Sequence, residues 1–132
     1  MEKLTIFIEQ CDDFYNAYAE NCNGVYGAGA TVEAAIESVR KGLKLRRQSS
    51  FKLPSFLKDN YEVEYTYELP AFLNWYSQIL GEEGLANIID IHSREIYSYM
   101  RGHKRPTRQT MKKIENAIRA FGKELSQTRL YS

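Results

Sequence analysis

Short runs of apolar residues mark four predicted β-strands in the first half of the chain. The runs lie at 4–8, 14–19, 25–28 and 61–69. In the last run, aromatic and aliphatic residues occupy the odd positions, and the even positions hold Glu62, Glu64, Thr66 and Glu68. Successive side chains of a strand point to opposite faces, so this strand has an aromatic face and an acidic face. We expect the aromatic face to pack on a helix and the acidic face to meet solvent or a basic partner.

A helix is predicted between the third and fourth strands. Thr31 can cap its first turn, Glu33 lies where the helix dipole favours a carboxylate, and the helix extends to Leu45. Capping and solvation of the C-terminal end account for its basic residues, which are Arg40, Lys41, Lys44, Arg46 and Arg47. Residues 48–60 are predicted as a loop. The first half is therefore expected to form a small antiparallel sheet with one packed helix.

The second half of the chain has helical periodicity instead. Pro70 suits the first turn of a helix whose apolar positions recur at helical spacing and which ends at Gly81. Further helices are predicted at 82–89, at 93–100 and from Thr107 to about Gln127. The expected fold class is α+β, with a sheet domain at 1–69 followed by an all-α domain at 70–132. The single tryptophan and the tyrosines are assigned to the core or to an interface, namely Tyr15, Tyr18, Tyr26, Tyr61, Tyr65, Tyr67 and Trp75.

Charge is distributed unevenly along the 132 residues, although the formal net charge is only +1. Residues 1–69 carry 8 basic and 11 acidic side chains, a net of −3, and residues 70–132 carry 10 and 6, a net of +4. Between His92 and Lys113 there are 7 basic residues and 1 acidic residue. A local excess of this kind gains affinity for nucleic acid by releasing counterions from the phosphates. Near-neutrality is therefore a cancellation between two differently charged regions.

Several classes of protein are disfavoured by what the sequence lacks. The two cysteines, Cys11 and Cys22, form no C-x-x-C pair and are too few for a disulfide scaffold, so we expect no metal site. The N-terminus does not resemble a signal peptide, and no apolar run has the length of a membrane span. Phosphate-binding and hydrolase motifs are absent. We expect a cytoplasmic protein with no cofactor and no membrane partner.

The pattern from Leu85 to Pro106 resembles the helix-turn-helix of the lambda-repressor (XRE) type. Its carrying residues are Leu85, Ala86, Ile89, Ile91, Ile96, Tyr99, Gly102 and Pro106. Asp90 stands where the family often has glycine, and aspartate tolerates the left-handed conformation better than most residues. The resemblance implies that the helix at 93–100 enters the major groove of operator DNA.

Outward positions of this helix and the basic loop after it supply the candidate DNA contacts. They are Ser93, Arg94, Tyr97, Ser98, Arg101, Lys104, Arg105 and Arg108. Serine and arginine near the helix start can reach base edges, whereas the cations after the helix are better placed for phosphates. Tyr97 suits a packing or dimer contact equally well.

The first half of the chain resembles the HicB antitoxin domain, a truncated ribonuclease-H-like fold. The carrying residues lie at 4–9, in Phe14-Tyr15-x-Ala17-Tyr18, and in the turn and helix start at 23–35. Ala34 departs from the family, which often has a second glutamate there. The resemblance implies a type II antitoxin whose partner is HicA, a small basic toxin that cleaves messenger RNA. It also implies a repressor of its own operon and a homodimer or higher oligomer. Glu62, Glu64 and Glu68 are the candidate toxin contacts.

Nuclease activity of a ribonuclease-H-like fold needs a carboxylate in the middle of the first strand, as part of a two-metal cluster. The run Leu4–Ile8 contains none, because Glu9, Asp12 and Asp13 lie at its end and in the turn after it. We therefore expect no enzymatic activity. The alternative to an antitoxin is a stand-alone helix-turn-helix regulator whose N-terminal domain dimerises or binds a small ligand.

Overall fold

The computed structural model describes residues 2–49, 53–58 and 60–132, and it is an α+β structure. The strands are β1 (Lys3–Cys11), β2 (Phe14–Ala19), β3 (Tyr26–Gly29) and β4 (Glu62–Tyr67). The helices are α1 (Val32–Ser49), α2 (Leu69–Leu80), α3 (Glu82–Ile89), α4 (Ser93–Met100) and α5 (Arg108–Ser126). In the predicted loop, residues 50–52 and 59 lie outside the described residues. Gln48 and Ser49 belong to α1 rather than to that loop, and Ser55–Lys58 forms one turn of 3₁₀-helix.

The chain divides into two compact units, Met1–Phe72 (unit 1) and Leu73–Ser132 (unit 2). The division falls inside α2, three residues beyond the predicted boundary at Leu69. That the second half is a separate all-α domain stays a prediction. None of the helices in the described ranges combines the length and the apolar character needed to cross a membrane.

The sheet of unit 1 has the strand order β3-β2-β1-β4 and is mixed. β2 pairs antiparallel with both β1 and β3, but β4 pairs parallel with β1, with Ile6 opposite Tyr65. The prediction of an antiparallel sheet is therefore wrong at one edge. The physical reason is the connection: β3 runs in the same direction as β1, and a helical crossover returns the chain to begin a strand in that same direction.

α1 packs on β3 and β2 at close range. The side chains of Leu4, Ile6 and Ile8 on β1 are almost completely buried on the covered face of the sheet. A Cβ atom on Gly27 would lie only 2.5 Å from the backbone nitrogen of Val39, so the helix rests directly on the β3 backbone.

The aromatic face of β4 lies on the side of the sheet that α1 covers, since Tyr65 is opposite Ile6, but β4 is at the edge far from β3. The Arg47 guanidinium of α1 lies 5.5 Å from the centre of the Tyr61 ring, and that the rest of this face packs on α1 stays a prediction. Val63 keeps 40% of its surface exposed.

In unit 2, α3 packs against both α4 and α5. The buried side chains of unit 2 come from α2 to α5 and are Leu73, Leu85, Ala86, Ile89, Ile96, Tyr99 and Ile114. The long α5 buries Ile114 and leaves the rest of its apolar stripe partly in solvent, since Met111 is 37% and Leu125 is 56% exposed. This packing holds α3 and α4 as a pair on one side of α5.

Candidate nucleic-acid interface

A three-residue turn joins α3 to α4. Its first residue, Asp90, has a left-handed backbone with φ of 61°, as the sequence predicts for this position. The Asp90 amide donates to the carbonyl of Ala86 at 2.8 Å, which closes the last turn of α3. The Lys113 ammonium of α5 donates to the Asp90 carbonyl at 2.9 Å. α5 thus fastens the turn that sets the angle between the two helices.

Both ends of α4 are fixed by side chains that sequence reasoning missed. His92 is the N-cap, and its Nδ1 accepts a hydrogen bond from the Arg94 amide at 3.1 Å. At the other end, Asn74 Nδ2 of α2 donates to the Met100 carbonyl at 3.1 Å. Histidine is not a preferred N-cap residue and Asn74 is 26 residues distant in sequence, so neither role leaves a local signal. α4 is therefore positioned at both ends before it meets any partner.

The amphipathic character of α4 separates its packing residues from its candidate contacts. Ile96 and Tyr99 are buried against unit 2, as expected. The exposed candidate contacts are Arg94, Tyr97, Arg101, Lys104, Arg105 and Arg108, while Ser93 and Ser98 are half-buried. Ser98 Oγ donates to the Arg94 carbonyl at 3.2 Å, within the helix. The structure therefore places all eight predicted residues on α4, in the loop after it or at the first residue of α5.

Tyr97 and Arg101 form a pair on the exposed side of α4. The Arg101 Nε donates to the Tyr97 hydroxyl at 2.9 Å, and its guanidinium carbon lies 5.2 Å from the centre of the ring. Stacking on an aromatic face and a fixed hydrogen bond both restrict the side chain of arginine. The pair holds one positive charge at the C-terminal end of the helix.

A second cluster ties the loop after α4 back to the helix. Glu95 Oε1 accepts hydrogen bonds from Lys104 Nζ at 2.9 Å and from the Tyr99 hydroxyl at 2.8 Å. These bonds, the one from Lys104 first, hold the pKa of Glu95 below its ordinary value. Burial, with the hydrogen bond to Glu95 adding to it, raises the pKa of Tyr99 to about 12. Lys104 thus anchors the loop to α4, a role that is additional to the phosphate contact predicted for it.

The start of α5 adds further positive potential. Thr107 caps the helix, as predicted, with its Oγ1 accepting from the Thr110 amide at 3.1 Å. Arg108 is the first residue of the helix, and Arg105 lies in the exposed loop before it. The N-terminal end of a helix carries a partial positive charge and free amides, which favour phosphate. We call Arg94, Arg101, Lys104, Arg105 and Arg108 the basic surface of unit 2.

The three candidate toxin contacts of unit 1 do not form one cluster of free carboxylates. Glu62 and Glu64 alternate along β4 and project from the face opposite α1. Glu64 forms an ion pair with Lys3 at 3.0 Å. Glu68 lies between β4 and α2, where its Oε1 accepts from the Gln10 amide at 3.2 Å. Glu68 therefore also closes the end of the β1–β4 pair.

Comparison of the chain with protein-family models, with curated proteins and with solved structures finds no match.

Proposed function

We propose that this protein binds duplex DNA through α3 and α4 and represses an operon that also encodes a small basic toxin, as a HicB-type antitoxin does. The observation that carries the DNA-binding part is the helix pair joined by the left-handed Asp90, with the basic surface of unit 2 beside it. Burial of Ile96 and Tyr99 leaves Arg94 outward in the first turn of α4. The start of a recognition helix is where side chains reach base edges.

The toxin-binding part of the proposal is supported by charge and by the resemblance of residues 4–35 to the HicB antitoxin domain. Unit 1 carries outward carboxylates on β4 and β1, and a basic toxin is complementary to them. A protein that masks a basic partner with one unit and binds phosphates with the other needs this separation of charge.

The proposal includes a homodimer, because one helix-turn-helix reads only a half-site and two half-sites need a two-fold partner. The exposed apolar residues Met111 and Leu125 of α5 support association of two copies. We expect sedimentation equilibrium to give twice the chain mass at micromolar concentration.

The DNA-binding part is tested by fluorescence anisotropy with duplex DNA taken from upstream of the protein's own gene. We expect Arg94→Ala plus Arg105→Ala to weaken binding about 30-fold, because a base-edge contact and a phosphate contact are both lost. The dependence of log affinity on log salt concentration should also become shallower by about one, because Arg105 is the one phosphate contact that is removed. Lys123→Ala plus Arg129→Ala removes the same charge from exposed positions elsewhere in unit 2 and serves as the control. Equal affinity of the two double variants would refute the proposed surface.

The antitoxin part is tested by co-expression with the products of the adjacent reading frames. We expect a small basic protein to co-purify with this chain and to be toxic when expressed alone. If the adjacent frames encode no such protein, the stand-alone regulator is the better assignment and the DNA-binding part is unaffected.

A further inference from the structure

The sheet of unit 1 has one face that α1 covers and one face that the helix does not cover, which we call the open face. On the open face, Phe7, Tyr18 and Tyr26 are directly opposite one another on β1, β2 and β3. They form a continuous aromatic row across three strands. The Phe7 and Tyr18 rings meet edge to face with their centres 5.6 Å apart. The row becomes more exposed toward the edge of the sheet, since Tyr18 is 37% and Tyr26 is 73% exposed.

Carboxylates accompany this aromatic row. Glu9 lies two positions from Phe7 on the same face, and its Oε2 accepts a hydrogen bond from the Tyr18 hydroxyl at 2.7 Å. Glu62 and Glu64 continue the same face on β4, where the register places them opposite Lys3 and Thr5. The positive charge of Lys3 offsets the negative charge of Glu64, with which it forms an ion pair. The open face therefore combines exposed aromatic rings with a net negative charge.

We propose that the open face is a docking surface for an arginine-bearing protein, with the rings of Tyr18 and Tyr26 stacking on guanidinium groups and Glu9 and Glu62 accepting their hydrogen bonds. Guanidinium is the group that combines stacking on an aromatic face with bidentate hydrogen bonding to a carboxylate. The proposal rests on the proposed function, because it identifies the surface that receives the basic partner. It adds the tyrosines to the carboxylates as the groups that recognise that partner.

Other occupants fit the open face less well. Nucleic acid would bring phosphates against Glu9 and Glu62. A second copy docked on the same patch about a two-fold axis would bring the same carboxylates together. A purely apolar partner would cover those carboxylates without supplying cations, and burial of an unpaired charge is strongly unfavourable. A cationic partner avoids both the like-charge contacts and the burial of unpaired carboxylates.

The first test titrates the full chain with nona-arginine and follows backbone amide shifts by NMR and affinity by calorimetry. We expect the shifted amides to lie in β1, β2 and β3. Tyr26→Ala should weaken binding about tenfold, because an exposed stacking platform is removed without disturbing the core. Tyr131→Ala makes the same chemical change at a fully exposed site in unit 2 and should leave the affinity unchanged. Shifts confined to α1 or α3, or equal affinities for the two variants, would overturn the proposal.

The second test uses the small basic protein encoded next to this gene and separates the two proposals. If that protein binds the wild-type chain and Tyr26→Ala weakens the complex about tenfold, the docking surface is supported. If it binds both chains equally, the docking surface is wrong while the antitoxin assignment stands. If no adjacent product binds but nona-arginine discriminates between Tyr26→Ala and Tyr131→Ala, the surface stands and the antitoxin assignment fails.

Discussion

Two exposed tyrosines, Tyr97 of unit 2 and Tyr18 of unit 1, use their hydroxyls in opposite senses. On α4 of unit 2, the Tyr97 hydroxyl accepts from Arg101 at 2.9 Å and the guanidinium lies over the ring. On β2 of unit 1, the Tyr18 hydroxyl donates to Glu9 at 2.7 Å. The same residue type therefore belongs to a cationic surface in one unit and to an anionic surface in the other.

The difference shows that the charged neighbour of a tyrosine decides which partner its surface favours. A ring already stacked with arginine presents positive charge outward, which suits a polyanion. A ring beside a carboxylate presents an open aromatic face and negative charge, which suits a cation. The formal net charge of +1 describes neither surface. A substitution confined to one unit tests whether the two units unfold independently.

Gly27→Ala should produce the largest effect, and it should fall on unit 1. The new Cβ would lie 2.5 Å from the Val39 nitrogen and 2.6 Å from Ser38 Oγ, so α1 would have to move off the sheet. We expect a loss of about 3 kcal/mol or more, in the range of severe overpacking. Hydrogen exchange of the β1 amides reports unit 1, and fluorescence of the single tryptophan, Trp75, reports unit 2.

Gly122→Ala is the matched control in unit 2. Apart from its chain neighbours and the backbone of its own helix, a Cβ there meets no atom within 4 Å, and the residue lies inside α5. Alanine should therefore stabilise the helix by about 0.5–1 kcal/mol. If Gly27→Ala lowered the Trp75 transition as much as it lowered β1 protection, the two units would not be independent.

Local chemistry made much of this fold predictable. Thr31 caps α1 through its Oγ1, Gly24 has the positive φ expected of an Asn-Gly turn, and Asp90 adopts the left-handed conformation. Each of these features depends on residues within three or four positions. The signals therefore survive in a single sequence.

Long-range pairing was not predictable in the same way. The parallel β1–β4 pair and the close contact of α1 with Gly27 depend on which strands become neighbours. The alternation of polar and apolar residues along a strand does not indicate at which edge of the sheet that strand pairs. The aromatic row also needed the register, because Phe7, Tyr18 and Tyr26 are far apart in sequence. In unit 2, the helical spacing located the candidate DNA contacts, but not the tie between Lys104 and Glu95.

Tyr99→Phe should have an intermediate effect that depends on pH. The buried hydroxyl donates to Glu95, and loss of a hydrogen bond to a charged group costs about 1.5 kcal/mol. Since the pKa of Tyr99 is about 12 in the folded protein against 10.0 ordinarily, its stabilising contribution is complete below pH 10 and declines as the pH rises toward 12. Urea unfolding followed at Trp75 should show the wild-type advantage at pH 8 and a smaller one at pH 11.5.

The exposed Tyr131→Phe provides the control for tyrosine ionisation in general. It should leave unfolding unchanged at both pH values. An advantage of wild type over Tyr99→Phe that did not shrink between pH 8 and 11.5 would contradict the role given to this hydroxyl.

The smallest effects are expected when the hydroxyls of Tyr97 and Tyr18 are removed. Tyr97→Phe keeps the ring under Arg101 but removes the acceptor of its Nε, so the guanidinium is less restricted and DNA affinity should fall about threefold. Tyr18→Phe frees Glu9 from its donor and should leave DNA affinity unchanged. For nona-arginine, Tyr97→Phe should have no effect, and Tyr18→Phe should change the affinity by no more than about threefold, because the ring and the carboxylate both remain. For the same two variants, anisotropy measures the affinity for DNA and calorimetry measures the affinity for nona-arginine. A variant that lost affinity for both ligands would mean that the two surfaces are not distinct.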